Sequence, residues 1–585
     1  MPFAYGVGER TLRVVVRVPA HSIGGGRVAW NDRYSWEGGD YAPLVEAAPL
    51  GLYARDGDME YWAAEIELHR PRFRYRFGLD SPAGLVWYGW DGLRDEPHPR
   101  GAFEYAYLAE GDRPEPPEWA RGATFYQIFP DRFARGGGGT HSRPLAPWDA
   151  VPGRRTFLGG DLDGIVAKLD HLASLSVDAL YLTPIFTSPS NHRYDTSDYF
   201  SVDPDLGGNP ALRRLVSALH ARGMRLLLDG VFNHSGADWP PFVDALQRGA
   251  ASAYARWFSF DPAESGADST AAARPGGPGY ETWSLNVPTL PKLRTSEPDL
   301  RDLICRIGRF WVQEFGIDGW RLDVANEVDH RLWRAFRQEV RSVAPEAFLV
   351  GEVWQAAMPW LRGDQFDSVM DYPLREAILG FAGTGSLDAP GLLDAVDRLR
   401  ATYPEPGHHF LYNLLGSHDV ERALTACGND RAAFTVATAL LYGLPGIASI
   451  YYGDEVGMEG GDDPHNRAGM VWDERQDARL LDIHVRLGRL RRTRSALRWG
   501  IYERLDGDGT AAAFLRGSGT ECVAVIANPR ATAVRFPIGG MRDRLGSAAR
   551  LLDTFSYGQE PATLGEDAVH LPPTSVAYLT GKGHS

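Results

Sequence analysis

Hydrophobic and polar positions change rhythm twice along this chain. Up to about residue 118 they alternate in short runs, as at Leu12, Val14, Val16 and Val18 or in Arg72-Phe73-Arg74-Tyr75-Arg76-Phe77, with turn residues between them. Period two over short segments predicts strands with one buried face, and several such segments predict a β-sandwich. The stretch Glu110-Gly111-Asp112-Arg113-Pro114-Glu115-Pro116-Pro117 is polar and proline-rich and reads as a linker.

From Ala123 onward, unbroken apolar runs alternate with amphipathic helical patterns, the rhythm of βα units. Runs at Thr124–Phe129, Ala179–Thr183, Arg225–Val231, Gly319–Leu322, Ala347–Gly351, Ser368–Met370, Phe410–Leu414 and Ile447–Tyr451 supply eight strands, enough to close a (β/α)8 barrel. Between the third and fourth, Ser235 to Pro298 shows Gly and Pro clusters and no clear period. That is too long for an ordinary βα loop and predicts an excursion at the face where the strands end. Short alternating strands return after about Arg498, at Ala511–Leu515, Cys522–Ile526, Ala533–Phe536 and Ser575–Leu579. The expected architecture is a multi-domain α/β protein. An N-terminal β-sandwich (1–118) precedes a (β/α)8 TIM barrel (119–497) with an inserted domain at about 235–298, and a C-terminal β-sandwich (498–585) follows. The apolar stretch from Ala432 to Tyr452 is cut by Gly443, Pro445 and Gly446, so it predicts a buried helix, a turn and a barrel strand rather than a membrane span.

Composition narrows the function. A net charge of −15 disfavours nucleic acid or an anionic membrane as partner and fits a neutral substrate. Cys305, Cys427 and Cys522 are too few and too scattered for a disulfide framework. The amino-terminal residues MPFAYGVGERTLRVVV lack a basic segment followed by an apolar one, so a cytoplasmic location is expected. Only Lys168, Lys292 and Lys582 are lysines, and no function follows from that.

Charged residues stand at the ends of the apolar runs. Asp229 to His234 close the third run, Arg321 and Asp323 the fourth, Glu352 the fifth, and His418-Asp419 the seventh. A charge at the end of a buried strand is costly unless paired or used, and strand ends of a barrel converge on one face. Taken singly, each Asp is a helix cap or a loop charge and His234 a core histidine; four such clusters in barrel order point to a site. Asp323 and Glu352 fit the two-carboxylate chemistry of glycosidases, one as nucleophile and one as acid. Arg321, two residues before Asp323, shares its face and is expected to hold that carboxylate ionised. Glu352 must instead keep its proton, which burial and neighbouring anions favour.

DGVFNH, GWRLDVANE, GEVW and LLGSHD follow one another as do the four signature regions of glycoside hydrolase family 13, the α-amylase superfamily, which the chain resembles over nearly its whole length. Asp323-Val324-Ala325-Asn326-Glu327-Val328-Asp329-His330, the fifth-region stretch Leu290-Pro291-Lys292-Leu293-Arg294 and the N-terminal segment Asn31–Trp36 resemble the neopullulanase, cyclomaltodextrinase and maltogenic amylase group. Arg294 stands where that group has Asn. The resemblance implies Asp323 as nucleophile, Glu352 as acid/base and Asp419 as transition-state stabiliser. It implies sugar-binding roles for Tyr194, His234, Arg321, Asn326, Glu327, Trp354, His418, Asp463 and Arg467. Tyr194 would stack on a sugar ring, Trp354 line the acceptor side, and Asp463 with Arg467 close the non-reducing side. Gln355, where His is frequent, and Ala468-Gly469 depart from the group's pattern. The reaction implied is retaining hydrolysis of α-1,4-glucosidic bonds in cyclodextrins, pullulan and short maltodextrins, with transglycosylation possible.

Three alternatives stay open at this point: an exo-acting α-glucosidase or maltodextrin glucosidase, a transglycosylating trehalose- or sucrose-related enzyme, and a non-catalytic sugar-binding relative. Relatives carry an Asn/Asp-rich calcium loop after the first barrel strand. Here Gly136–Gly139 replaces those side chains and Asp161 remains alone, so no metal or other cofactor is expected. The first 90 residues hold Trp30, Trp36, Trp62, Trp87 and Trp90. In the group resembled, the N-domain of one subunit covers the barrel mouth of the other, so a homodimer through this domain is expected.

Overall fold

The computed structural model describes residues 3–109, 111, 113–141, 143–260, 279–284, 287–505, 509–519, 521–546 and 549–582. Glu110 and Asp112 of the expected linker lie outside them, as do 261–278 and 285–286 of the expected insertion. The described residues form two compact units, one of 1–115, 356–364 and 390–408, the other of 116–355, 365–389 and 409–585.

The first unit is built on two antiparallel sheets. Thr11–Pro19 pairs with Phe3–Gly6 and Met59–Glu67 in one; Phe73–Ser81 pairs with Gly26–Asn31, Gly84–Gly89 and Phe103–Tyr105 in the other. Leu12, Val14, Val16 and Val18 from the first sheet meet Val28, Trp30, Phe73, Tyr75 and Phe77 from the second in one core. The polar partners of the second rhythm do not all face water. Arg74 and Arg76 are buried, Arg74 lying 3.8 Å over the Tyr41 ring, because a guanidinium packs flat on an aromatic face. Residues 356–364 and 390–408, which the sequence division gave to the barrel, cluster here. Val15, Ala54 and Tyr61 meet Ala401, and Arg398 pairs with Asp56 at 2.7 Å.

The second unit holds the eight parallel strands. They are β1 (Thr124–Ile128), β2 (Ala179–Leu182), β3 (Arg225–Gly230), β4 (Gly319–Leu322), β5 (Phe348–Gly351), β6 (Ser368–Val369), β7 (Tyr412–Leu414) and β8 (Ile447–Tyr451). Their order is β6-β5-β4-β3-β2-β1-β8-β7, and a parallel bridge between Met370 and Tyr412 joins β6 to β7 and closes the barrel. Seven of the eight are wholly buried, the mark of strands covered on both faces. The segment after β3 is less irregular than its sequence suggests. Pro240–Arg248 is a helix, started by Pro240 and Pro241 and buried through Phe242 and Ala245. Arg431–Gly443 is a buried helix that leads into β8, and no helix among the described residues is long and apolar enough to cross a membrane. The C-terminal part is a five-stranded and a three-stranded sheet around one core, with the helix Gly539–Leu545 against it.

Candidate active site

All four clusters arrive at one end of the barrel, around Arg321. This guanidinium, buried on β4, donates through Nη1 to Asp229 at 3.0 Å and to Asp323 at 2.7 Å. Its Nη2 lies 3.0 Å from Glu352 and 3.8 Å from Asp419. Tyr181 and Tyr194 donate their hydroxyls to Asp229 at 2.6 and 2.9 Å, so Asp229 braces the site from β3. Four carboxylates thus share one buried cation.

The residue after Asp323 sets the next contact. Val324 sits in the left-handed region at φ +44°, which for a β-branched side chain costs roughly 1–3 kcal/mol. That turn points its N–H at Glu352 Oε2, 2.8 Å away. Trp354 Nε1 donates to Glu352 Oε1 at 2.9 Å, and the Trp354 ring stacks on Tyr372 at 3.9 Å.

Arg321 alone does not keep Asp323 in the usual carboxylate range. Burial pushes the Asp323 carboxyl well above the usual carboxylate range, Arg321 opposing and Glu352 and Asp229 adding. Glu352 accepts from the Val324 N–H and the Trp354 indole and lies 3.0 Å from Arg321. Asp419 is pushed up to about 7 by burial and by Glu352. One guanidinium does not offset the burial of Asp229, Asp323 and Asp419, so these three hold their protons more tightly than exposed acids would.

The histidines remain neutral. Burial, with Lys292 beside it, lowers His234 to about 3, and its Nε2 is buried without a protein partner, leaving it for a ligand hydroxyl. Gln127 donates to His418 Nδ1 at 2.6 Å, so Nε2–H faces Tyr194 and Asp419, the latter at 3.1 Å. Burial, aided by Arg467 and Arg321, keeps His418 uncharged.

A cavity of about 500 Å³ opens over these groups. Tyr194, His234, Asp323, Glu352, Asp419, Asp463 and Arg467 line it, and Trp283, Val287 and Leu290 bring the segment after β3 into its wall. Trp354 is half exposed beside the lining. Asn326 and Glu327 are not brought to the cavity. The left-handed turn at Val324 leads into the 3₁₀ turn Ala325–Glu327, which leaves both exposed, and the Glu327 carbonyl accepts from Lys292 at 3.1 Å. The sequence reading missed Tyr181, Trp283 and Tyr372. Tyr181 stood near the end of an apolar run, as Arg321 did; the other two carry no local signal.

The glycine run after β1 folds onto the Asp161 carboxylate. Asp161 is buried and accepts four backbone N–H groups: Gly164 at 2.7 Å, Gly136 at 2.9 Å, Gly138 at 3.0 Å and Gly139 at 3.3 Å. A Cβ at Gly136 would lie 2.2 Å from Gly164 N and one at Gly139 2.3 Å from the Asp205 carbonyl, so the loop needs glycine to fold onto the carboxylate. Those N–H groups occupy the lone pairs a cation would need, and the residues present do not fit calcium there.

Comparison with known proteins agrees with this geometry. The family model described as alpha amylase, catalytic domain, matches residues 127–508, and that of the alpha amylase N-terminal ig-like domain matches 1–109. The chain belongs to the α-amylase family. It is therefore a glycoside hydrolase by family. Among its relatives, neopullulanase 2 of Thermoactinomyces vulgaris is 41% identical over 90% of this chain and 89% of that protein. An intracellular maltogenic amylase of Bacillus subtilis is 36% identical over 86% of this chain and 85% of its own. A solved cyclomaltodextrinase structure superposes with a TM-score of 0.89 at 34% identity, covering 99% of this chain and 98% of that one.

Proposed function

We propose that this α-amylase family member hydrolyses α-1,4-glucosidic bonds in cyclodextrins, pullulan and short maltodextrins with retention of anomeric configuration, and transfers glycosyl groups as a side path. The observation that carries the reading is the Arg321 guanidinium bound at once to Asp323 at 2.7 Å and Glu352 at 3.0 Å from adjacent strand ends. Carboxyls spanned by one guanidinium suit the short separation, about 5–5.5 Å, of a double displacement. In the reactive form the cluster keeps its proton on Glu352 and leaves Asp323 ionised; Asp323 then attacks the anomeric carbon while Glu352 gives its proton to the departing oxygen. Glu352 then takes a proton from water, which attacks the glycosyl–Asp323 ester and releases an α-product. Asp419, Arg321 and the neutral His234 and His418 steady the charge and hydroxyls of the oxocarbenium-like state.

The substrate range is supported by relatives named neopullulanase and cyclomaltodextrinase. Cytoplasmic residence belongs to the same reading, supported by the intracellular relative. Metal-independent action is supported by the filled coordination of Asp161. A two-fold dimer through the N-terminal sandwich is supported by Trp36 and Trp90, exposed at 57% and 78% while Trp30 is core. The deciding experiment is an NMR time course on β-cyclodextrin and maltotriose. The α-anomer should appear first and β-cyclodextrin should be cut faster than amylose at equal glucose-unit concentration. A β-anomer as first product would overturn the retaining mechanism; faster amylose cleavage would overturn the substrate range.

A further inference from the structure

One wall of the cavity comes from a tight turn that no catalytic motif includes. Residues 153–156 form it, the Thr156 N–H donating to the Gly153 carbonyl at 3.1 Å. Two buried side chains hold its carbonyls. Asn191 Nδ2 donates to those of Arg154 and Thr156 at 3.2 and 2.8 Å, and Arg132 Nη2 to that of Thr156 at 2.6 Å. Arg132 also donates, through Nη1, to the Arg467 carbonyl at 2.7 Å. One buried arginine thereby fixes this turn and the loop of Asp463 and Arg467 in the same frame. From the turn, Arg154 reaches Asp463 at 3.4 Å; Asp463 pairs with Arg467 at 3.1 Å, and Arg467 lies 3.7 Å from Asp419. Charges of alternating sign run from the turn to the catalytic cluster.

The direction of this chain gives it a meaning. Glu352 protonates the departing sugar and Trp354 is bonded to Glu352, so the departing part of the substrate runs past Trp354. The part retained on the enzyme extends the other way, toward Asp463. We propose that Arg154 is a specificity-determining residue that limits how many glucose units lie on the retained side, its guanidinium bridging to Asp463 across the path of a third unit. This rests on the α-glucan hydrolysis proposed above. Arg154 touches no reacting atom. It works because its backbone is pinned at two buried anchors while its side chain spans the gap, so its removal opens space without loosening the turn.

The test uses the full-length protein and maltohexaose labelled at its reducing end. The ratio of labelled maltotetraose to labelled maltotriose reports cutting after the second against the third unit from the other end. It does not depend on the amount of active enzyme. In Arg154→Ala and Arg154→Gln this ratio should fall about three- to five-fold, the size that an exposed ion pair allows, while Arg154→Lys stays within about two-fold of wild type. A ratio unchanged in both neutral variants would overturn the inference. So would a rise, which would mean that Arg154 binds the third unit rather than excluding it. Wild type that leaves maltohexaose intact would instead defeat the hydrolysis reading beneath it.

Discussion

Asp161→Ala is expected to destabilise the protein severely, and the size of the effect follows from where its four partners lie. The carboxylate is fully buried, caps the helix Leu162–Ala167 through Gly164 N–H and gathers the N–H groups of Gly136, Gly138 and Gly139. Water can replace it at the exposed Gly136. The buried Gly164 N–H and at least one other are left unmet. At about 1.5–3 kcal/mol per charge-assisted bond, two losses amount to roughly 3–6 kcal/mol. At about 2 °C per kcal/mol in a large domain, that corresponds to a fall in melting temperature of about 6–12 °C. The assay is scanning calorimetry of wild type and variant, each with EDTA and with added calcium. Wild type should not move in either, since the lone pairs are taken. A variant melting within a degree of wild type would refute the reasoning about the N–H cradle. A wild-type drop of several degrees in EDTA, reversed by calcium, would show that a cation holds this loop.

Glu352→Gln should lower kcat on maltotriose by about 10²–10⁴-fold, the worth of a general acid, and recover on a glucosyl fluoride whose leaving group needs no proton, whereas Asp323→Asn should be inactive on both; recovery by Asp323→Asn would exchange the roles. Asp371, whose Oδ2 has no hydrogen-bond partner, is pushed up by burial to about 7, so its folded-state proton is held more tightly than the unfolded one. Its contribution to stability is complete below about pH 4 and lost as pH rises to 7, some 4 kcal/mol in all. Asp371→Asn, which keeps the helix cap, should therefore raise the melting temperature at pH 8 and leave it nearly unchanged at pH 4; equal gains at both would sink that account. Light scattering should give a dimer for the full chain and a monomer for Trp36→Ser/Trp90→Ser; a monomeric wild type ends the dimer proposal.

The sequence by itself determined the barrel and the charged residues at its strand ends because both are written locally. A barrel strand is covered on both faces, so it appears as an unbroken apolar run, and a charge at its end is conspicuous for its cost. Asp323, Glu352, Asp419 and Arg321 were legible for that reason. The helix Pro240–Arg248 was not, since a short helix among glycines and prolines shows little period. What the tertiary structure alone decided are pairings between residues far apart in the chain. Arg321 is divided among four carboxylates from four strand ends, so burial raises Asp323 despite its nearest cation. Trp354 stacks on Tyr372, and Arg132 joins a turn at 153–156 to a loop near 467. The backbone turn at Val324 sends Asn326 and Glu327 to solvent although they stand only three and four residues after Asp323. A local pattern records which residues are buried and at what period; it holds no record of which buried charge meets which, because the closing of the barrel fixes that.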